Sequence, residues 1–380
     1  METYDALVVG AGPAGSTCAA QLRAAGLDVL VLERAVLPRD KPCAGWITPD
    51  VLDLLGLRAE DYRFGATLQP FLGFRVGVVG GRDGVVHETR PASYGIRRCE
   101  FDYRLLLRSE AHFLAGEPVL RLRRGRGRWI VNDAYAAPVL VGAGGNSCPV
   151  ARLVSGPPHG GLVAAEEVEF RMDARQRAAC RVEPEVPEIS FSADLQGYGW
   201  CVRKDDYLNV GFGRRDPVGL PAHLRGFVEW QVKRGRISED LPRRWCGHAY
   251  RLREQPAPRV VDDGAVLVGD AAGLAFPESG EGIRPGVESG VLAARAIVAA
   301  AGRCSREDLL PYEADLDRRL GLRRKWRRTP RAVAYLATRL LGSAPAVRRI
   351  VIARWFLRRG RPPLASPSLG RPPLPFPTAS

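Results

Sequence analysis

None of the eight cysteines in this 380-residue chain belongs to a C-x-x-C pair. Scattered thiols in so long a chain point to a reducing compartment and away from a zinc site. The five histidines, His87, His112, His159, His223 and His248, are dispersed and show no metal-ligand spacing, so no metal is expected. No stretch reaches the ~18 uncharged apolar residues that a spanning helix requires. Met1 to Asp5 carry no basic leader before strand-like sequence begins. The expected location is the cytoplasm, either free or peripheral to the inner face of the membrane. Nucleic-acid motifs are lacking too, and aromatic residues do not interleave with basic ones, so no nucleic-acid partner is expected. Acidic residues are missing from one place. Residues 318–361 hold 15 Lys and Arg and no Asp or Glu, while the rest of the chain has 41 basic residues against 42 acidic. The net charge of +14 therefore belongs to one segment, which argues for a local anionic partner.

What is present begins at once. Tyr4 to Val9 and Leu27 to Leu32 read as buried parallel strands. Between them lie Gly10-Ala11-Gly12-Pro13-Ala14-Gly15 and a helix pattern from Ala14 to about Ala25, stopped by Gly26. This is the setting that a dinucleotide fingerprint needs. Gly10 permits the tight turn, Gly12 lets the backbone approach a pyrophosphate, and Gly15 lets helix and strand pack closely. The helix N-terminus supplies N–H groups and a positive dipole end. Glu33 is placed to accept hydrogen bonds from a ribose diol. Far along the chain come Gly269-Asp270-Ala271-Ala272-Gly273 and Gly280-Glu281-Gly282-Ile283-Arg284-Pro285. Each piece is weak alone. Taken with the opening loop, they imply one long cofactor held at both ends, FAD. Only one fingerprint is visible, so the electrons come from a transiently docking NAD(P)H or from a reduced protein donor.

The expected fold is α/β. A Rossmann-like FAD-binding domain (1–45, 91–160 and 260–302) is interleaved with an antiparallel-sheet substrate domain (46–90 and 161–259). A basic C-terminal helical region (303–361) and a proline-rich disordered tail (362–380) follow. A helix is expected from about Phe101 to Leu114, and strands over Leu162–Glu166, Tyr207–Gly211 and Ala265–Val268. Thr329-Pro330 reads as the cap and first position of a late helix. Its apolar face is Val333, Leu336, Ala337, Leu340 and Leu341, with Tyr335, Thr338 and Arg339 opposite.

Several segments resemble the geranylgeranyl reductase family of flavoproteins, within the FAD fold shared with glutathione reductase and aromatic hydroxylases. The resemblance spans roughly residues 4 to 320. Gly10 to Gly15 with Glu33-Arg34 is similar to the family's adenosine site. Pro38-Arg39-Asp40-Lys41-Pro42-Cys43-Ala44-Gly45 resembles its P-R-x-K-x-C-G-G segment. Arg98-x-x-Phe101-Asp102 resembles its R-x-x-F-D, and Tyr198-Gly199-Trp200-Cys201-Val202-Arg203-Lys204 its Y-x-W-x-F-P-K. The resemblance implies that Gly10, Gly12, Pro13, Ala14, Gly15, Glu33, Arg34, Cys43, Ala44, Arg98, Gly269, Asp270, Gly280, Gly282 and Ile283 bind FAD. Asp270 would accept from the ribityl hydroxyls, and Cys43 and Ala44 would border the flavin ring. Tyr198 and Trp200 would line the cavity of an apolar isoprenoid or lipid substrate. Ala44 departs from the family's Gly, and Val202-Arg203 from its Phe-Pro. Gly144 stands where aromatic hydroxylases keep an Asp.

Two readings stand for several residues. Cys43 is either a catalytic or substrate-contacting thiol or a small buried residue. Tyr198 and Trp200 are either substrate walls or core, sharing one strand face in both cases. The basic segment is a solvated face, a nucleic-acid site or a lipid-surface site, and its apolar stripe favours lipid. The leading function is reduction of a carbon–carbon double bond in an isoprenoid or lipid, by hydride from reduced flavin. The alternatives are a monooxygenase or halogenase on the same fold, and a membrane-surface electron-transfer flavoprotein.

Overall fold

The short apolar strand Ala6–Val9 lies at the centre of a six-stranded sheet. Its order is Val261–Asp262, Ala265–Leu267, Val139–Gly142, Ala6–Val9, Val29–Glu33 and His112–Ala115. The last five run parallel, and the first is an antiparallel edge. Four consecutive buried residues, Ala-Leu-Val-Val, fit a strand covered on both faces. This computed structural model describes residues 1–156, 162–253, 258–322, 331–359, 362 and 364, with side chains omitted at 331–335.

Two helices cover one face of that sheet, Pro13–Ala24 and Ile283–Ala299. They meet through glycine. A Cβ on Gly290 would stand 2.5 Å from the Ala14 carbonyl oxygen and 3.1 Å from the Cys18 nitrogen. The helix Arg306–Leu320 sends Leu309, Tyr312, Leu316 and Leu320 into the same core, and the Tyr312 hydroxyl donates to the Leu267 carbonyl at 2.6 Å.

A seven-stranded sheet stands beside this unit. Its order is Cys246–Arg251, Leu162–Arg171, Tyr207–Arg214, Gly197–Lys204, Glu188–Phe191, Gly73–Val78 and Asp83–His87. All its pairings are antiparallel except that between Glu188–Phe191 and Gly73–Val78. Two small sheets complete the structure. One pairs Trp46–Ile47, Ser93–Ile96 and Leu68–Phe71; the other carries the hairpins around Gly125–Arg128 and Val131–Tyr135.

The helix expected over 101–114 is instead Arg98–Arg108, followed by the strand His112–Ala115. Glu110 takes φ 52°, which ends the helix, and His112–Ala115 then pairs in parallel beside Val29–Glu33. Thr329-Pro330 lies outside the described residues, as does the proline-rich stretch apart from Pro362 and Leu364.

The late helix Arg331–Ser343 packs against Gly73–Val78 and Asp83–His87, and is followed by Pro345–Val351 and a wider turn, Ile352–Phe356. Its apolar stripe does not all turn inward. Leu341 and Thr338 are buried, while Leu336 is 58% exposed and Leu340 40%. Docking of the helix on the sheet, rather than apolar periodicity, selects the buried side. No helix of the described residues is long and apolar enough to cross a membrane.

Gly290→Ala is expected to cost about 1–3 kcal/mol by forcing the two central helices apart. A urea midpoint that falls with unchanged slope would show this; a midpoint at or above the wild type would contradict the close approach.

Candidate functional site

The two glycine-bearing segments, distant in sequence, meet at the mouth of one cavity. Gly10 takes φ 110° and lies so close to Ala143 that a Cβ would stand 2.5 Å from its carbonyl oxygen. Gly15 packs on Gly10, where a Cβ would fall 2.0 Å from the Gly10 oxygen. Gly269 takes φ 60°, and its Cβ would stand 2.9 Å from that of Ala14. Both loops therefore need the missing side chains, and the helix Pro13–Ala24 opens its N-terminus towards the cavity they frame.

That cavity encloses about 1340 Å³, counting its open mouth. Of the residues expected from sequence, Gly12, Pro13, Ala14, Cys43, Ala44, Arg98, Tyr198, Trp200, Gly269, Asp270, Gly280, Gly282 and Ile283 line it. Gly10 and Gly15 stand behind the lining and shape the loop. Glu33 is buried; its Oε2 accepts from the Ala11 N–H at 2.9 Å and its Oε1 from the Ala35 N–H at 3.1 Å, so it holds the loop itself. Arg34 is exposed and reaches Ser147 Oγ at 3.3 Å.

Charge is arranged at the loop end. Asp270 faces Lys41 Nζ at 3.5 Å and His248 Nε2 at 3.7 Å. Burial pushes its carboxyl up, but Lys41, His248 and Arg98 outweigh burial and hold it well below the usual carboxylate range. Burial lowers His248 against the pull of Asp270. Arg98 donates to both oxygens of Asp102 at 2.8 Å, and Arg39 Nη1 donates to the same carboxylate at 3.2 Å. Two arginines on one buried carboxylate fix the segment carrying Lys41 and Cys43 against the helix Arg98–Arg108. Cys43 Sγ accepts from the Gly45 N–H at 3.4 Å.

The opposite wall is apolar and aromatic. It takes Ile189, Tyr198, Trp200 and Val202 from one face of the seven-stranded sheet, with Trp46 and Phe356 completing it. Trp46 is stacked between Phe74 (5.2 Å between ring centroids, 7° between planes) and Phe356 (5.3 Å, 16°). Trp200 Nε1 donates to Asn209 Oδ1 at 2.7 Å, and the Tyr198 hydroxyl donates to the Ser279 carbonyl. Tyr198 and Trp200 thus have their polar ends tied and present ring surface to the cavity.

Sequence reasoning missed Trp46, Phe356, His248, Tyr250, Glu167 and Glu281. Glu167 and Glu169 were visible as two acids two residues apart in a strand, hence on one face. No sequence signal places Phe356 here, because its position depends on how the C-terminal helices dock. Among the described residues, no group of three His, Cys, Asp or Glu could hold a metal ion.

A glycine cradle at a helix N-terminus, a buried carboxylate beside it and a long cavity leading away fit FAD. The loop would take the pyrophosphate, Asp270 the ribityl hydroxyls, and the Cys43–Gly282 region the ring system. Comparison with known proteins agrees. Residues 8–38 match the family model of an NAD(P)-binding Rossmann-like domain. A menaquinone reductase of Mycobacterium tuberculosis is 31% identical over 77% of this chain and 76% of its own length. Digeranylgeranylglycerophospholipid reductase 1 of Methanopyrus kandleri is 28% identical over 78% of this chain and 81% of its own. Among solved structures, a geranylgeranyl bacteriochlorophyll reductase-like protein of Thermoplasma acidophilum superposes with a TM-score of 0.74. It covers 94% of this chain and 97% of its own at 21% identity.

Glu281 gives a pH test. Burial, against Arg284 and Arg358, raises its carboxyl from 4.5 to about 7. An acid that holds its proton in the fold but sheds it when unfolded stabilises fully below 4.5 and loses that contribution as pH rises through 7. Glu281→Gln should flatten the fall in unfolding free energy of the flavin-free protein between pH 4.5 and 7, by up to about 3 kcal/mol. An unchanged slope would contradict it. Asp270→Ala should lower flavin retention at least ~10-fold, the effect of losing one charge-assisted contact, scored by absorbance after gel filtration.

Proposed function

Because the chain belongs to the geranylgeranyl reductase family of FAD-dependent oxidoreductases, we propose that it saturates carbon–carbon double bonds in the chain of an isoprenoid lipid. The observation that carries this reading is the aromatic wall of Trp46, Tyr198, Trp200 and Phe356 facing the glycine loops across one cavity. FAD, when bound and reduced, supplies the hydride. Everything else falls to the protein. Gly12 to Ala14, Gly269 and Gly282 would let backbone close on the cofactor, Asp270 would take its hydroxyls, and Lys41 and Arg98 would offset its charge. The flat, rigid rings hold a branched polyene by area and shape, since such a chain has no polar group to grip. The relatives' names point the same way, for menaquinone and digeranylgeranylglycerophospholipid both carry isoprenoid chains.

Partial neutralisation of the basic segment refines its role. Arg318, Arg319, Arg358 and Arg359 each pair with a carboxylate: Asp315 at 2.7 Å, Glu288 at 2.6 Å, Glu278 at 2.7 Å and Glu88 at 2.7 Å. They serve the fold. Exposed Arg339, Arg349 and Arg354 remain beside exposed Leu336, Leu340 and Ile350. That mixture suits the surface of an anionic membrane, where the substrate is dissolved.

Flavin-loaded protein, reduced without oxygen, should be reoxidised by prenyl lipids with a mass gain of two hydrogens per saturated bond. No reoxidation across a panel of prenyl lipids would sink the reading. Product oxygenated or halogenated in air would favour a monooxygenase or halogenase, and quinone reduction without saturation an electron carrier. Leu336→Glu with Ile350→Glu should cut co-sedimentation with anionic vesicles ~10-fold or more, the loss of two buried side chains. Equal binding would exclude this face. Stopped-flow reduction by NADH, NADPH or a reduced ferredoxin decides the electron donor.

A further inference from the structure

Two carboxylic acids lie side by side on the cavity strand Leu162–Arg171, and only one has a cation of its own. Glu169 accepts from Lys204 Nζ at 2.6 Å and faces Arg97 Nε at 3.5 Å. Glu167, two residues earlier on the same strand face, lines the cavity and is 6% exposed. The Cys43 backbone N–H and the Asn209 amide lie against its carboxyl group, while its Oε2 has no hydrogen-bond partner among the described residues. Trp200 packs beside it, across Gly211, where a Cβ would stand 2.3 Å from the Trp200 ring and 2.8 Å from the Glu167 Cβ. This acid, with one oxygen unpartnered, therefore sits at the junction of Cys43 and Trp200, between the cofactor end and the apolar wall.

We propose that Glu167 is the proton donor of the reduction, delivering its carboxyl proton to the alkene carbon that does not receive the hydride. This rests on the double-bond reduction proposed above. The alkene loses its π bond and gains two C–H bonds. One carbon takes a hydride, with its electron pair, from the reduced flavin; the other takes the Glu167 proton. The flavin is oxidised by two electrons, and Glu167 is left as a carboxylate that regains a proton from solvent.

The surrounding charges favour this assignment. Burial raises the Glu167 carboxyl from 4.5 to about 8; the Glu169 charge adds to the rise, and the Cys43 N–H, Lys204 and Asn209 offset only part of it. For Glu169, burial acts upward too, but Lys204 and Arg97 reverse it. Environments that separate two neighbouring carboxyls leave one charged and the other carrying a proton at neutral pH. Lys41, Arg98, His248, Asp270, Tyr198 and Tyr250 are the other charged or titratable groups on the walls near Cys43. Glu281, another acid of the cavity, faces Arg284 and Arg358 and lies on the glycine-loop side.

The experiment compares wild type with Glu167→Gln, both flavin-loaded. Glu167→Gln should slow prenyl-driven reoxidation by roughly 10²–10⁴-fold while oxygen-driven reoxidation is kept. Infrared spectra of the wild type should show a protonated carboxyl at pH 7 that titrates near 8 and is absent from Glu167→Gln. Unchanged prenyl-driven reoxidation in Glu167→Gln would overturn the proposal, and so would a wild type with no protonated carboxyl at pH 7. If Glu167→Gln does not fold, the titration is repeated in Glu281→Gln, where the protonated carboxyl left at pH 7 belongs to Glu167 and its absence would overturn the proposal. A wild type that reduces no prenyl lipid at all would instead bring down the function on which the proposal rests.

Discussion

The contact between Gly290 and the Ala14–Cys18 backbone is the constraint from which the site follows. It lets the helix Ile283–Ala299 lie directly on the helix Pro13–Ala24, and it brings Gly269 and Gly282 to the mouth of the first loop. Any larger side chain there would separate the two halves of the cofactor cradle. A protein whose dinucleotide loop is complete within its first fifteen residues thus still depends on packing set nearly three hundred residues later.

The nucleotide side of the site was legible in sequence because each of its requirements is local. Positive φ at Gly10 and Gly269, close approach at Gly15, and a strand feeding a helix all leave marks within a few residues. Asp270 could be read because it follows a buried strand and precedes the second glycine cluster. Glu33 closes the second strand as expected, but its oxygens turn to the loop amides, a choice that only the folded backbone reveals.

The aromatic wall was legible in part. Tyr198 and Trp200 came from a motif. Trp46 and Phe356 come from segments far apart in sequence and are joined by ring stacking, which has no periodic signature. The same holds for the late helix, whose apolar stripe predicts a buried face that docking on the sheet only partly buries. The arginines of the basic segment divided along similar lines: some were recruited into ion pairs with Glu88, Glu278 and Glu288, and others were left on the surface. Composition could report the excess of positive charge but not its division.

Phe356 also bears on the order in which the molecule can become functional. The ring stacks on Trp46 from a turn near the end of the chain. During synthesis the nucleotide cradle can therefore assemble, with all its glycines in place, while the aromatic wall is still open. The last wall is set only when the C-terminal turn closes on the sheet. Loss of that turn would leave a yellow protein with its aromatic wall incomplete, and colour alone would be a poor guide to whether the chain is whole.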